Sequence, residues 1–201
     1  MAANYPRIGV LALQGGVREH AEMLIRAGAR TEIREVRVPA DLDGLAGIVL
    51  PGGESTTIGK LLEESGLLEP LRSRIDHGLP VYGTCAGMIL LAREVMDAGE
   101  PVLGGMDITV RRNAFGSQRD SFEEDLTIAG MAGGPLHCIF IRAPRIEATG
   151  EAVEVLARLE DGTAAAVRQG RLLASAFHPE LGRDPRFHGL FLTMCLDMNG
   201  A

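Results

Sequence analysis

Three apolar runs, Ile8 to Leu13, Gly47 to Leu50 and Leu79 to Tyr82, each pass into a glycine-bearing turn and then into residues of helical spacing. A segment apolar at every position has no side to offer water, so each run is expected to be a strand buried on both faces. Between the first two, Val17 to Ala27 places Val17, Ala21, Leu24 and Ile25 on one helical face, and Gly28 supplies a stop. Thr31 to Val38 alternates as a further strand. Ile58 to Glu64 and Leu67 to Ile75 read as two short helices divided near Gly66, and Ala86 to Met96 as the helix after the third run. Strand and helix in this alternation fold as a parallel sheet with helices on both sides.

The texture changes after Gly105. Asp107 to Arg112, Thr127-Ile128, Cys138 to Arg142, Val153 to Leu159, Ala164 to Arg168 and Leu172 to Ala176 are strand candidates separated only by turns, and Phe187 to Met198 closes the chain as an amphipathic helix. These strands are expected to add antiparallel pairs at a sheet edge, or a small β-layer over the cleft. The expected architecture is three-layer α/β/α, with a mostly parallel central sheet and antiparallel additions in the C-terminal half. With 201 residues and no repeat, linker or low-complexity tract, residues 1–201 read as a single domain.

A formal charge of −7 and the absence of basic runs with interleaved aromatics argue against nucleic acid or an anionic membrane as partner. The N-terminal apolar run is too short for a signal sequence or a membrane span. Three widely spaced cysteines, Cys85, Cys138 and Cys195, suit a reducing compartment rather than a disulfide framework. A cytoplasmic location is expected.

The chemistry concentrates on Gly83-Thr84-Cys85-Ala86-Gly87, a strand-to-helix turn carrying a thiol. Glycines at both flanks remove Cβ atoms where the turn is tightest, and the N-terminus of the following helix directs its positive end at the sulfur, which favours thiolate. Phe177-His178-Pro179-Glu180 follows the strand Leu172 to Ala176, stiffened by its proline. Glu180 there can accept a hydrogen bond from one ring nitrogen of His178 while the other faces the thiol. Cys138 and Cys195 have no such context and read as packing residues. His20, His77, His137 and His188 read as surface or cap residues.

Pro51-Gly52-Gly53-Glu54-Ser55 also follows a buried strand, and the N–H of Gly53 could join that of Ala86 around a developing oxyanion. A phosphate loop is excluded by spacing: five residues separate Gly53 from Gly59, and Leu61 stands where a Ser or Thr would meet magnesium. Gln14-Gly15-Gly16 lacks the dinucleotide-binding glycine pattern. No His, Asp and Glu cluster has metal-ligand spacing. Neither a metal nor a cofactor is expected.

These segments resemble the class I glutamine amidotransferase superfamily, a flavodoxin-like fold marked by a Gly-x-Cys-x-Gly elbow and a distal His-x-Glu. Within it, the chain is most similar to the glutaminase-subunit family of pyridoxal 5'-phosphate synthase. The resemblance is carried by Leu13-Gln14-Gly15-Gly16-Val17-Arg18-Glu19-His20, Leu50-Pro51-Gly52-Gly53-Glu54-Ser55-Thr56-Thr57, the cysteine elbow, Arg112-Asn113-Ala114-Phe115-Gly116, Asp120-Ser121-Phe122-Glu123, Phe140-Ile141-Arg142-Ala143-Pro144 and Ser175 to Leu181. Gly16 and Met88 depart from the residues commoner in the family.

The resemblance implies hydrolysis of L-glutamine to glutamate and ammonia, with the ammonia passed to a synthase subunit that builds pyridoxal 5'-phosphate from a pentose phosphate and a triose phosphate. It implies Cys85 as nucleophile, His178 as base and acid, Glu180 as its orienting group, and Gly53 and Ala86 as the oxyanion donors. Gly53, Glu54, Ser55, Arg112, Ile141 and Arg142 would hold the substrate's α-amino and α-carboxylate groups. By their own chemistry alone, Arg112 and Arg142 read as solvated charges at strand ends. The isolated subunit is expected to be a poor glutaminase, its Gly52-Gly53 peptide not yet aimed at the oxyanion.

Three rival readings remain open on the residues. The glutaminase could serve another acceptor, such as imidazole glycerol phosphate synthase. A cysteine peptidase or chaperone-like protein can use the same elbow, but commonly with histidine beside the cysteine, where this chain has Ala86. A binding domain could have kept the fold without the chemistry.

Overall fold

A computed structural model describes residues 5–28, 30–96, 103–112 and 121–196. The parallel core contains β1 (Arg7–Leu11), β2 (Glu32–Val36), β3 (Leu45–Leu50), β4 (Val81–Thr84) and β12 (Leu172–Ser175), in the spatial order β2-β1-β3-β4-β12. The helices α1 (Val17–Arg26), α2 (Ser55–Glu64), α3 (Leu68–Asp76), α4 (Ala86–Leu91) and α5 (Arg186–Leu196) cover it, with α1 packed against α5 and α2 against α3 and α4. The strand order reverses direction at β1, so right-handed crossovers carry these two helix groups to opposite faces. This is the expected α/β architecture.

From β12 the sheet continues antiparallel through β11 (Ala164–Gln169), which pairs with β10 (Glu154–Arg158) and β9 (Arg145–Thr149). Beyond lie β6 (Met106–Arg111) and β5 (Ala92–Val95). A separate hairpin joins β7 (Ser121–Leu126) to β8 (Leu136–Ile141). The expected antiparallel additions are therefore present in the main sheet, with a two-stranded sheet beside them.

Two sequence expectations need correction, and one strand went unread. The helix after Cys85 ends at Leu91, and Ala92–Val95 turns into a strand that pairs parallel with β6. Ala92 and Val95 are buried while Arg93 and Glu94 face solvent, so pairing at the sheet edge outweighs their helix propensity. Thr127-Ile128 is not a strand; the pairing falls on Ser121–Leu126. Arg145–Thr149, which sequence patterning passes over, is a strand with one buried side chain, Ile146. The expected Phe187 to Met198 helix runs to Leu196, and its last residues lie outside the described ones.

The register fixes where chemistry can happen. Ile48, Val49 and Leu50 stand opposite Val81, Tyr82 and Gly83, while Leu172 to Ser175 stand opposite Val81 to Thr84. The three strands run parallel and finish side by side, so the segments after Leu50, Thr84 and Ser175 emerge at one rim. Ligands of open α/β sheets bind at this carboxyl edge. Tyr82 sits fully buried on the α1/α5 face among Phe187, Phe191, His188 and His20. No described helix is long and apolar enough to cross a membrane.

Candidate active site

Cys85 is the hinge between β4 and α4, with φ 49° and ψ −102°. A non-glycine residue in that region costs about 1–3 kcal/mol and persists only where the surroundings enforce it. Here the enforcement is visible. The Cys85 N–H donates to the Ser175 carbonyl at 2.8 Å, and its own carbonyl accepts from Ile89 at 3.2 Å. A Cβ on Gly83 would lie 2.5 Å from the Gly87 carbonyl group, and one on Gly87 would lie 2.1 Å from the Leu50 oxygen. Only glycine lets the helix start this close to two strands. Cys85 is 8% exposed, so the elbow presents a nearly buried thiol.

His178 and Glu180 come from the segment after β12. His178 Nδ1 lies 2.7 Å from Glu180 Oε1, and the ring also interacts with the Cys85 thiol. Burial alone would lower the His178 pKa, but the hydrogen bonds and electrostatic attraction of Cys85 and Glu180 outweigh it and raise it to about 10. Burial likewise opposes the Glu180 carboxylate, yet the facing His20 and His178 rings hold it below the ordinary carboxylate range. The third segment closes the arrangement: a Cβ on Gly52 would meet His178 Cε1 at 2.5 Å, so this loop packs directly on the imidazole.

These residues border one cleft of about 410 Å³, which brings together every site residue expected from the sequence: Cys85, His178, Glu180, Gly53, Ala86, Glu54, Ser55, Arg112, Ile141 and Arg142. Asn113 to Gly116 and Asp120, also part of the family resemblance, lie outside the described residues. Arg142 follows β8 with φ 42°. Among the described residues, it and Cys85 are the two non-glycine positions with positive φ, and both border the cleft. Backbone strain concentrated at a cleft is a mark of a functional site.

Glu54 has a local structural task. Its carboxylate accepts from the Thr56 and Thr57 backbone N–H groups and from both hydroxyls, capping α2. The Thr56 hydroxyl, followed by burial working in opposition and the Thr57 bonds, leaves its pKa at about 2. A carboxyl depressed in the folded state stabilises above its unfolded value near 4.5 and loses that contribution as pH falls toward 2. Glu54→Gln is therefore expected to lower stability by about 1 kcal/mol near neutrality, the usual worth of an N-cap. In urea titrations the gap from wild type should narrow steadily below pH 4.5; a gap constant with pH would count against the charged cap.

Sequence reasoning missed several cleft residues. Gln14, whose Oε1 accepts from the Glu54 N–H at 2.9 Å, ties the turn after β1 to the one after β3. Gly16, Ile89 and Leu181 also line the space, beside Gly52 of the expected oxyanion peptide. The histidine reading needs correction for two of four. His77 does cap α3, its Nδ1 lying 2.6 Å from the Ser73 carbonyl, and exposed His137 bridges Asp125 and Glu123 at 2.7 and 3.0 Å. His20 and His188, however, are wholly buried. The signal was present: His20 lies on the helical stripe Val17, His20, Ala21, Leu24, and His188 on the stripe Phe187, His188, Phe191, Leu192. Cys138 and Cys195 are buried, and burial pushes each thiol up to about 12, as suits packing residues.

The same fold occurs in PurLQS from Thermotoga maritima, whose matching chain is 18% identical with a TM-score of 0.70 over 96% of this chain and 98% of the other. A solved structure described as a glutamine amidotransferase is far nearer, at 52% identity and a TM-score of 0.88 across 94% of this chain and 98% of that one. The chain belongs to the SNO glutamine amidotransferase family, which it matches over residues 10–197. It is 60% identical to the pyridoxal 5'-phosphate synthase subunit PdxT of Frankia alni, over 93% of this chain and 94% of the relative. With the PdxT subunit of Clavibacter sepedonicus it shares 55% identity over 96% and 92% of the two chains.

Proposed function

We propose that residues 1–201 act as a single glutaminase domain that releases ammonia from L-glutamine for a pyridoxal 5'-phosphate synthase subunit in the cytoplasm. The observation that carries the chemistry is the meeting of Cys85, on its strained elbow, with the ring of His178, whose Nδ1 lies 2.7 Å from Glu180 Oε1. The relatives named as PdxT favour this acceptor over imidazole glycerol phosphate synthase.

In this reading the Cys85 sulfur attacks the side-chain amide carbon, and the oxyanion is met by the N–H groups of Gly53 and Ala86. As first residue of α4, Ala86 has an N–H that no helical carbonyl can use. His178 holds the thiol's proton and gives it to the leaving nitrogen as the C–N bond breaks. The products are ammonia and a γ-glutamyl thioester on Cys85. His178 then takes a proton from water, whose oxygen attacks the thioester, and glutamate leaves as the thiol is restored. Glu180 keeps Nδ1 protonated and Nε2 turned to the sulfur. Arg112 and Arg142 suit the α-carboxylate because a guanidinium can bind both oxygens, with Glu54, Ser55, Gly53 and Ile141 forming the rest of the substrate cradle.

Ammonia released into water would protonate and lose its nucleophilicity, so the cleft should dock on the synthase subunit in a hetero-oligomer. Glutamate production measured with and without that subunit tests the reading. Turnover is expected to rise at least about ten-fold when the partner is present, as closing the oxyanion site is worth about 10²–10³ in related chemistry. No glutamate under either condition would remove the activity, and equal rates would remove the dependence on docking.

A further inference from the structure

Behind the cleft lies a buried polar chain for which the steps of glutamine hydrolysis have no use. His20 Nε2, on α1, lies 3.5 Å from Glu180 Oε2 and 3.1 Å from Thr84 Oγ1, while His20 Nδ1 lies 2.9 Å from His188 Nε2 on α5. All four residues are buried. Glu180 Oε2 and His188 Nδ1 make no hydrogen bond among the described residues, so the 3.5 Å approach of His20 to Glu180 Oε2 is an electrostatic contact. Polar groups are not left in an apolar core without cost.

We propose that His20, fixed by His188 behind it, is a positioning residue for glutamine hydrolysis, an inference that rests on the proposed glutaminase activity. Its Nε2–H faces the outer oxygen of Glu180, so the carboxylate meets His178 in one orientation with its inner oxygen.

The tautomers follow from the contacts. A lone pair on His20 Nε2 would face a carboxylate oxygen, so the proton belongs on Nε2, donated to Thr84 Oγ1 at 3.1 Å with Glu180 Oε2 beside it at 3.5 Å. His20 Nδ1 is then an acceptor, and His188 Nε2–H must donate to it. That leaves His188 Nδ1 as an unpaired lone pair, the cheaper orphan, because a buried N–H without an acceptor is rarer in proteins than an under-used acceptor. The opposite assignment orphans an N–H and sets two lone pairs against each other. Burial, partly countered by Glu180 and reinforced by His178, lowers the His20 pKa. Burial lowers that of His188 further. Both rings are thus neutral near pH 7, as a fixed donor chain requires. Other ionisable groups act on the chain: Glu19 on α1 and His178 on His20, Tyr82 on β4 facing Glu180, and Cys138 on β8 facing Tyr82. Tyr82 is committed to Ser175 at 3.1 Å, and Cys138 is held neutral by burial.

Two amide substitutions separate position from mere packing. His20→Gln can reach Glu180 and Thr84 with an N–H, whereas the shorter His20→Asn can satisfy His188 but not Glu180. In the full chain with the synthase subunit, Gln should stay within about three-fold of wild-type kcat. Asn should lose about ten-fold or more at nearly constant KM for glutamine, the range seen when outer hydrogen-bond partners are removed from other sites. The pH dependence of Cys85 alkylation by iodoacetamide gives a second readout, independent of glutamine. Its basic limb should move to lower pH in Asn and not in Gln, because a slack Glu180 supports the His178 imidazolium less. Equal behaviour of Gln and Asn, or a loss in Asn with the wild-type alkylation profile, overturns the proposal. Should Asn fail to fold, His188→Gln against His188→Leu poses the same comparison one link back, judged by the same outcomes. If wild type releases no glutamate with the synthase subunit, the functional reading fails, while the alkylation comparison still decides the role of His20.

Discussion

Cys85→Ala should abolish glutamate and ammonia release, by about 10⁴-fold or more, while the chain still binds the synthase subunit. The size follows from the division of labour at the elbow. Without a sulfur there is no thioester, and the remaining donors can at most polarise the amide, which in triad enzymes leaves only a small residue of catalysis. The fold should not suffer, since the elbow is held by the Cys85 backbone and by the close approach of Gly87 to Leu50, neither of which needs the thiol. A companion variant sharpens the test. At φ 49° any side chain is strained, and glycine alone is not, so Cys85→Gly should be equally inactive yet at least as stable as wild type. A melting temperature that rises as activity vanishes is the signature of strain kept for function. Ammonia release surviving in Cys85→Ala would take the cysteine out of the mechanism.

The parallel half of the molecule was legible because buried central strands write themselves as unbroken apolar runs: Ile8 to Leu11, Ile48 to Leu50 and Val81-Tyr82 can face nothing but protein. The elbow was legible for a related reason, since Gly83 and Gly87 mark a close backbone approach that nothing larger tolerates. The edges were not. Ser121–Leu126 and Arg145–Thr149 pair through backbone groups while most of their side chains meet water, so their residues carry little of the pattern that betrays a strand. Ala92–Val95 has too few residues to show a period, and its pairing with β6 is a fact about a distant segment. Of the site, the groups proposed to react were visible as local motifs. Their supports were not, because His20 and His188 are 168 residues apart and acquire meaning only when α1 and α5 pack over Tyr82.

Glu180→Gln should lower kcat by about 10²–10⁴-fold with KM for glutamine little changed, and should do so unequally across pH. The geometry explains the scale. Glu180 faces His178 at 2.7 Å with one oxygen and His20 at 3.5 Å with the other, so both of its oxygens meet ring nitrogens in a buried site. A glutamine has one oxygen and one NH₂, and whichever way it turns, one ring N–H confronts another donor. The comparable loss of the orienting carboxylate in a serine triad costs about 10⁴-fold through the wrong tautomer. The sign of the pH effect follows from His178. Its pKa stands near 10 because, against burial, Cys85 and Glu180 together prevail; without Glu180's bond and charge, burial gains and the pKa must fall. The imidazolium proposed to protonate the leaving amide nitrogen is then lost at lower pH, so the ratio of wild-type to variant kcat/KM should widen from about pH 6 to about pH 9. Stability should change far less, since the substitution also removes a buried charge whose desolvation opposes folding. Measuring kcat/KM from about pH 5 to about pH 10 with the synthase subunit present decides the matter: a variant within about three-fold of wild type, with the same basic limb, would show that Glu180 merely fills space beside His178.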